Sequence, residues 1–217
     1  MRRQIGTTGV LASGGLDSAV LLVRLLRAGQ RVWPVYVRCG FVWEAAELYW
    51  LRRFLRAVRS SRLLPLHVIE VPFQDMYGPR WSFTGRGAPG LRSADTAVYL
   101  PGRNVLLLSH AAVAGARRNI TRFALGTLRG NPFGDASPQF FRAMSRALSL
   151  ALGRPVAILA PLVRLRKAAL VRAASDLPIH LTFSCLRPRG PGACGRCNKC
   201  AERMRAFPCR GGQAAGR

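Results

Sequence analysis

The chain has 217 residues, 49% of them apolar, which is enough to bury a full core in one domain with a small appendage. Its apolar runs are broken by Arg, Pro or Gly within about 12 residues, against the ~20 a bilayer span needs, so a membrane-spanning class is excluded. The formal net charge is +25, from 34 Lys and Arg against nine Asp and Glu, and it points to anionic partners. All but two of the bases are Arg, spread through every predicted element, with Lys only at positions 167 and 199. Small anionic molecules are therefore preferred to a dedicated nucleic-acid interface. The amino terminus MRRQIGTTGVLASGG places charge before apolar residues but runs directly into a glycine turn, so it does not read as a targeting segment and a cytoplasmic location is expected.

The elements follow in chain order. A short β-compatible run from Gly6 to Ala12 leads into LDSAVLLVRLLRAG, where Val20, Leu21, Leu25 and Leu26 recur at helical spacing up to Gly29, a natural helix end. RVWPVYVR predicts a second strand, with Pro34 as an irregularity. Residues 44–59 carry the broad apolar face of a second helix, and HVIEV predicts a third strand. From Pro72 to Gly102 the pattern fails, and a loop of that length inside a compact domain is usually functional or disordered. A helix from Arg103, a strand through ITRFALGT, a helix through PQFFRAMSRALSLALG, a strand at RPVAILAP and a helix through LRKAALVRAASDL complete the series. This alternation predicts an open parallel five-stranded α/β sheet of Rossmann type with helices on both faces. The tail from 210 to 217 reads as disordered.

Between the first strand and helix stands LASGGLDSAVLL. A phosphate group is held by backbone N–H donors at a helix N-terminus, with the positive end of the helix dipole behind them. Gly14 and Gly15 permit close backbone approach, and Ser13 and Ser18 add hydroxyls. Neither the G-K-[ST] loop nor G-x-G-x-x-G is present. With only nine acids in the chain, few residues other than Asp17 are available to serve a magnesium ion here.

Four of the six cysteines, Cys185, Cys194, Cys197 and Cys200, crowd into sixteen residues near the C-terminus. Two C-x-x-C steps and a fourth thiol match the ligand complement of a closed structural zinc site. An iron–sulfur cluster is the competing occupant. Cys39 and Cys209 are left as ordinary thiols.

Ser13-Gly14-Gly15-Leu16-Asp17-Ser18 resembles the PP-loop of the ATP pyrophosphatase superfamily. Together with LPGRN at Leu100–Asn104 and the cysteine cluster, it resembles the 7-cyano-7-deazaguanine synthase family of queuosine precursor synthesis over nearly the whole chain. The resemblance implies an adenine nucleotide alpha hydrolase-like domain over 1–180 and a zinc-binding segment over 181–209. It implies ATP, Mg²⁺ and Zn²⁺ as cofactors, a small-molecule carboxylate as substrate, and a homodimer. ATP would lie along Ala12, Ser13, Gly14, Gly15, Leu16, Asp17, Ser18, Ala19, Val20, Leu21 and Leu22. Asp17, Arg103 and Lys167 would be catalytic, Arg129 and Asp135 would face the substrate, and Asn104 would be either functional or a cap of its helix. The implied reaction turns 7-carboxy-7-deazaguanine and ammonia into 7-cyano-7-deazaguanine through an adenylated carboxylate.

The chain departs from the family pattern in VRCGFVWEAAEL and LGTLRGNPFGDASPQFF, where Arg129, Gly130 and Asn131 replace an acidic stretch. An Arg in place of an acceptor disfavours a guanine-like ring, whose N–H groups need acceptors. Two further readings follow: a related enzyme that adenylates a different carboxylate, and a basic zinc-bearing nucleic-acid-binding protein with a vestigial ATP loop.

Overall fold

The computed structural model describes residues 6–207. The expected tail at 210–217, and Cys209 with it, lies outside them. Five strands, β1 (Thr7–Leu11), β2 (Arg31–Arg38), β3 (His67–Glu70), β4 (Arg122–Ala124) and β5 (Ala157–Leu159), form one parallel sheet in the order β3-β2-β1-β4-β5. This is the open α/β arrangement the alternation predicts. The strand order reverses at β1, between β2 and β4, and open sheets of this kind bind ligands in the crevice there.

The side-chain alternation of β2 shows how the layers form. Trp33, Val35 and Val37 pack with Phe123 and Ile158 of the sheet against α5 (Arg103–Ala116) and α6 (Pro138–Leu152). Val32, with Val10 and Ala124, packs instead against α1 (Leu16–Arg27), Phe54 of α2 (Glu44–Ala57) and Leu170 of α7 (Lys167–Arg172). Helices therefore cover both faces, and the central strands β1 and β2 are largely buried, whereas the edge strands β3 and β5 are half-buried.

Pro34 is tolerated in this central strand for a local reason. Val32 donates to the Arg62 carbonyl and accepts from Leu64, whereas the Val35 carbonyl accepts from Ala12 on the β1 side. Pro34 thus faces β3 at the gap between Leu64 and His67, where pairing resumes with Val35. No ladder donor is required at that point. β4 and β5 are shorter than the apolar runs suggest, and after β4 Leu125, Gly126 and Thr127 line the crevice.

The stretch from 72 to 102 is not a bare loop. It holds α3 (Gln74–Tyr77), α4 (Trp81–Thr84) and a 3₁₀ turn at Asp95–Val98. Phe73, Trp81 and Phe83 pack on Phe41 and Trp43 after β2, with ring centroids 5.0–6.4 Å apart. Its far end docks on the cysteine segment, where Asn198 donates its backbone N–H to Pro89 and its side-chain amide to Ser93. A last helix, α8 (Asn198–Ala206), starts inside the cysteine cluster and was not evident from sequence patterning.

Candidate active site and thiolate centre

The glycine loop closes on itself. The Ser18 hydroxyl donates to the Gly15 carbonyl at 3.1 Å and accepts from the Ser13 N–H at 3.2 Å, while the Ser13 hydroxyl accepts from the Gly15 N–H at 3.3 Å. Gly14 has φ +73°, and a Cβ there would stand 2.9 Å from the Glu47 carbonyl oxygen. Only glycine meets both demands. Its carbonyl accepts the Phe183 N–H at 2.9 Å, which ties the loop to the chain just ahead of Cys185.

Two cavities meet at this loop. The smaller, about 300 Å³, is lined by Ala12, Ser13, Ser18, Tyr36, Glu47 and Arg103, among others. The larger, about 1280 Å³, is lined by Asp95, Arg129, Phe133, Lys167, Arg172 and Glu202, among others. Asp17, Gly126 and Asn131 belong to both walls. Gly126 is required there, because a Cβ would lie 2.8 Å from the Asp17 carbonyl carbon.

The sequence-expected residues separate into distinct groups. Ala12, Ser13, Asp17 and Ser18 face the smaller cavity, whereas Val20, Leu21 and Leu22 are at most 1% exposed and serve the core under α1. Arg103 lies with its guanidinium carbon 5.2 Å from the Phe41 ring centroid and shares the smaller cavity with Glu47. Its Nε is buried with no hydrogen-bond partner among the described residues. Arg129 is exposed and lines the larger cavity. Asp135 lines neither. Its carboxylate accepts the Asn104 N–H at 3.0 Å and its carbonyl accepts from the Asn104 side chain at 2.9 Å. Asp135 thus satisfies a free N–H in the first turn of α5, and Asn104 fastens the two segments rather than capping its own helix.

Lys167 is the centre of a short chain of charges. Its ammonium reaches Asp17 at 2.7 Å and Glu202 at 3.0 Å, and Glu202 also holds Lys199 at 2.7 Å. Burial pushes the Asp17 carboxyl above its usual range, and Lys167 opposes that shift. For Lys167, burial is outweighed by the two carboxylates, so the ammonium stays charged. Burial raises Glu202 as well, but Lys199 and Lys167 together bring it down to about 2. Sequence reasoning assigned nothing to Glu202 or Lys199. Two lysines among 34 bases and nine acids in 217 residues were the available signal.

A second pair of carboxylates comes from α2, of which Glu47 lines the smaller cavity and Glu44 is buried behind it. Glu44 accepts the N–H groups of Cys39 and Gly40, at 2.6 and 2.9 Å. Glu47 accepts the Tyr36 hydroxyl at 2.8 Å, and burial pushes its carboxyl up to about 7 despite Arg103 nearby. Burial raises the Cys39 thiol to about 12, consistent with an unreactive thiol.

The four cysteines of the C-terminal segment converge, with all four sulfurs within 4.8 Å of one another. Cys197 lies 3.5 Å from Cys200 and 3.9 Å from Cys185, and Cys194 lies 3.9 Å from Cys200. A tetrahedral zinc with bonds near 2.3 Å sets its thiolates about 3.8 Å apart. That spacing leaves no room for the iron and sulfide atoms an iron–sulfur cluster places between its ligands. Backbone N–H groups of Leu186, Arg187, Cys194 and Arg196 point at the sulfurs at 3.3–3.4 Å, the outer hydrogen bonding that stabilises bound thiolates. The set fits zinc, closed by protein on all four sides.

Fold and site together define an open parallel α/β domain of the adenine nucleotide hydrolase-like fold, carrying a four-thiolate segment. Residues 8–211 match the family described as Queuosine biosynthesis protein QueC, and the chain belongs to that family. It is 33% identical over 215 residues to a 7-cyano-7-deazaguanine synthase of Anaeromyxobacter dehalogenans, covering 91% of this chain and 89% of the relative. It is 28% identical over 218 residues to one of Acetivibrio thermocellus, covering 95% and 93%. Among solved structures, a 4-thiouridine synthetase–RNA complex with bound ATP superposes with a TM-score of 0.55 at 16% identity, over 87% of this chain and 44% of that one. The U34-tRNA thiolase NcsA from Methanococcus maripaludis, with its [4Fe-4S] cluster, gives 0.51 at 12% identity, over 94% and 67%. These likenesses concern the fold. No helix among the described residues is long and apolar enough to cross a membrane.

Proposed function

We propose that this chain converts 7-carboxy-7-deazaguanine and ammonia to 7-cyano-7-deazaguanine with ATP. The observation that carries the reading is the meeting of two cavities at Asp17, Gly126 and Asn131, directly over the phosphate loop. ATP enters the smaller cavity and the acid the larger, so that the reacting oxygen and the α-phosphorus come together at that boundary.

A carboxylate is a poor electrophile because its leaving group would be an oxide. Attack of its oxygen on the α-phosphorus forms an acyl adenylate and releases pyrophosphate. The loop N–H groups, the Ser13 and Ser18 hydroxyls and the dipole of α1 receive the departing charge. Ammonia then adds to the acyl carbon, AMP leaves and an amide remains. Activation of the amide oxygen by a second ATP, followed by loss of AMP and of the nitrogen protons, yields the nitrile. Lys167 stabilises negative charge as it develops near the loop. Mg²⁺, when bound, offsets pyrophosphate charge, with Asp17 the carboxylate at the loop to serve it. Cys185, Cys194, Cys197 and Cys200 would hold a zinc ion with four protein thiolates, and such an ion would organise residues 185–200 rather than activate water.

The test is pyrophosphate release by the zinc-loaded chain with ATP and ammonia, with and without 7-carboxy-7-deazaguanine, following the product by mass. Substrate-dependent release with nitrile formation is expected. ATP binding without turnover would reject this acid. The second reading, a different carboxylate, is favoured by Arg129, Arg172 and Arg205 on the wall of the larger cavity.

A further inference from the structure

Two contacts join the four-thiolate segment to the phosphate loop, and they approach it from opposite sides. Ahead of the first thiolate, the Phe183 N–H donates to the Gly14 carbonyl at 2.9 Å. Past the last one, Glu202 on α8 grips Lys167 at 3.0 Å, and the same ammonium lies 2.7 Å from Asp17. α8 has Cys197 as its N-cap and buries Cys200 in its first turn, so its start is tied to the thiolate centre, with Asn198 and Arg203 adding hydrogen bonds to neighbouring segments. Lys167 comes from α7, and α7 is only six residues long. A four-carbon stem from so short a helix has little to define where its ammonium rests, apart from the two carboxylates that hold it.

Composition sharpens the point. In a chain whose bases are otherwise Arg, the two lysines are Lys167 and Lys199, and both meet at Glu202. An ammonium is a compact charge with three rotatable donors and can bridge several oxygens converging on one point, whereas a guanidinium is a planar fork. Lys199 neutralises one Glu202 oxygen, leaving the other for Lys167.

We propose that Glu202 is a positioning residue that transmits the fold of the thiolate centre to the phosphate loop, by holding the Lys167 ammonium against Asp17. The inference rests on the reading of the loop as an ATP site and is independent of which acid is activated. Zinc held by the four thiolates would therefore shape the loop's charge environment through one carboxylate, in addition to folding its own segment.

Because the described chain has only these two lysines, acylation by a water-soluble amine reagent can be read at each by peptide mass. The full-length zinc-loaded protein is used. In the wild type, Lys167 is expected to react slowly and to speed up when a chelator removes the metal. Glu202→Gln, checked for full zinc content and unchanged melting, is expected to raise Lys167 acylation about fivefold, as for loss of a partly exposed ion pair. Chelation should then add little. Its kcat for substrate-dependent pyrophosphate release is expected to fall about tenfold with KM for the acid unchanged, and Glu202→Asp to recover part of that loss. Unchanged Lys167 acylation in Glu202→Gln at full zinc would overturn the proposal. So would equal effects of Gln and Asp on both acylation and kcat. Should Glu202→Gln lose zinc, Glu202→Asp carries the reading alone, with Lys167 acylation expected above the wild type. Acylation needs no turnover, so failure of every acid to release pyrophosphate would count only against the synthase reading.

Discussion

The glycine loop after β1 and the thiolate segment are both short, glycine-containing and irregular, yet they are held in place by different means. The loop is closed by neighbours in sequence: Ser13 and Ser18 hydrogen-bond across five residues, and α1 follows at once. The thiolate segment has almost no regular structure before α8, and its shape depends on four sulfurs converging on one point. A loop closed by its own backbone keeps its local shape when a distant partner is lost, although the charges around it shift. A site built from a shared ligand collapses as a unit.

The comparison breaks most sharply at the metal. Cys197→Ser is expected to release zinc and cost about 5 kcal/mol or more, lowering Tm by about 10–20 °C. Metal analysis alongside a melt checks this, and a melt unchanged at lost zinc would mean the segment is held by its backbone instead. At the loop, Asp17→Asn is expected to lower pyrophosphate release about 100-fold, roughly 2.7 kcal/mol of transition-state stabilisation, with Tm nearly unmoved. Steady-state rates set against a melt separate the two effects.

Smaller perturbations probe the wall between the cavities. Gly126→Ala brings a Cβ to 2.8 Å from the Asp17 backbone, and backbone cannot swing aside as a side chain can. Destabilisation of about 1–3 kcal/mol is expected, measured by denaturant midpoint. Glu47 gives the mildest effect and a pH signature. Its folded value of about 7 lies above the ordinary 4.5, so its contribution is full below about pH 4.5 and is lost as pH rises through 7. Glu47→Gln should match the wild type at pH 4 and exceed it by about 1–2 kcal/mol at pH 8. Parallel stability–pH curves for the two proteins would refute the buried-carboxylate account.

Much of this arrangement was legible before any coordinates. The five strands, the phosphate loop and the sulfur cluster announce themselves through period, spacing and residue type, and all three are local properties. The expected substrate contacts were less legible. Asp135 was expected at the substrate because it stands where the family resemblance puts an acidic stretch, but its carboxylate accepts an N–H in the first turn of α5. The stretch from 72 to 102 lacked a period because its order comes from aromatic packing across the chain, Trp81 on Trp43 and Phe83 on Phe41.

Sequence alone was enough for the fold class, the glycine loop at a helix N-terminus and the four thiolates that suit zinc, because each depends on residues close together along the chain. Tertiary structure alone decided that Lys167 stands between Asp17 and Glu202, 150 residues from the first, and that Gly14 is latched by Phe183. Charge pairing and close backbone approach depend on distance in space, and no periodicity records which of nine acids a lone lysine will meet.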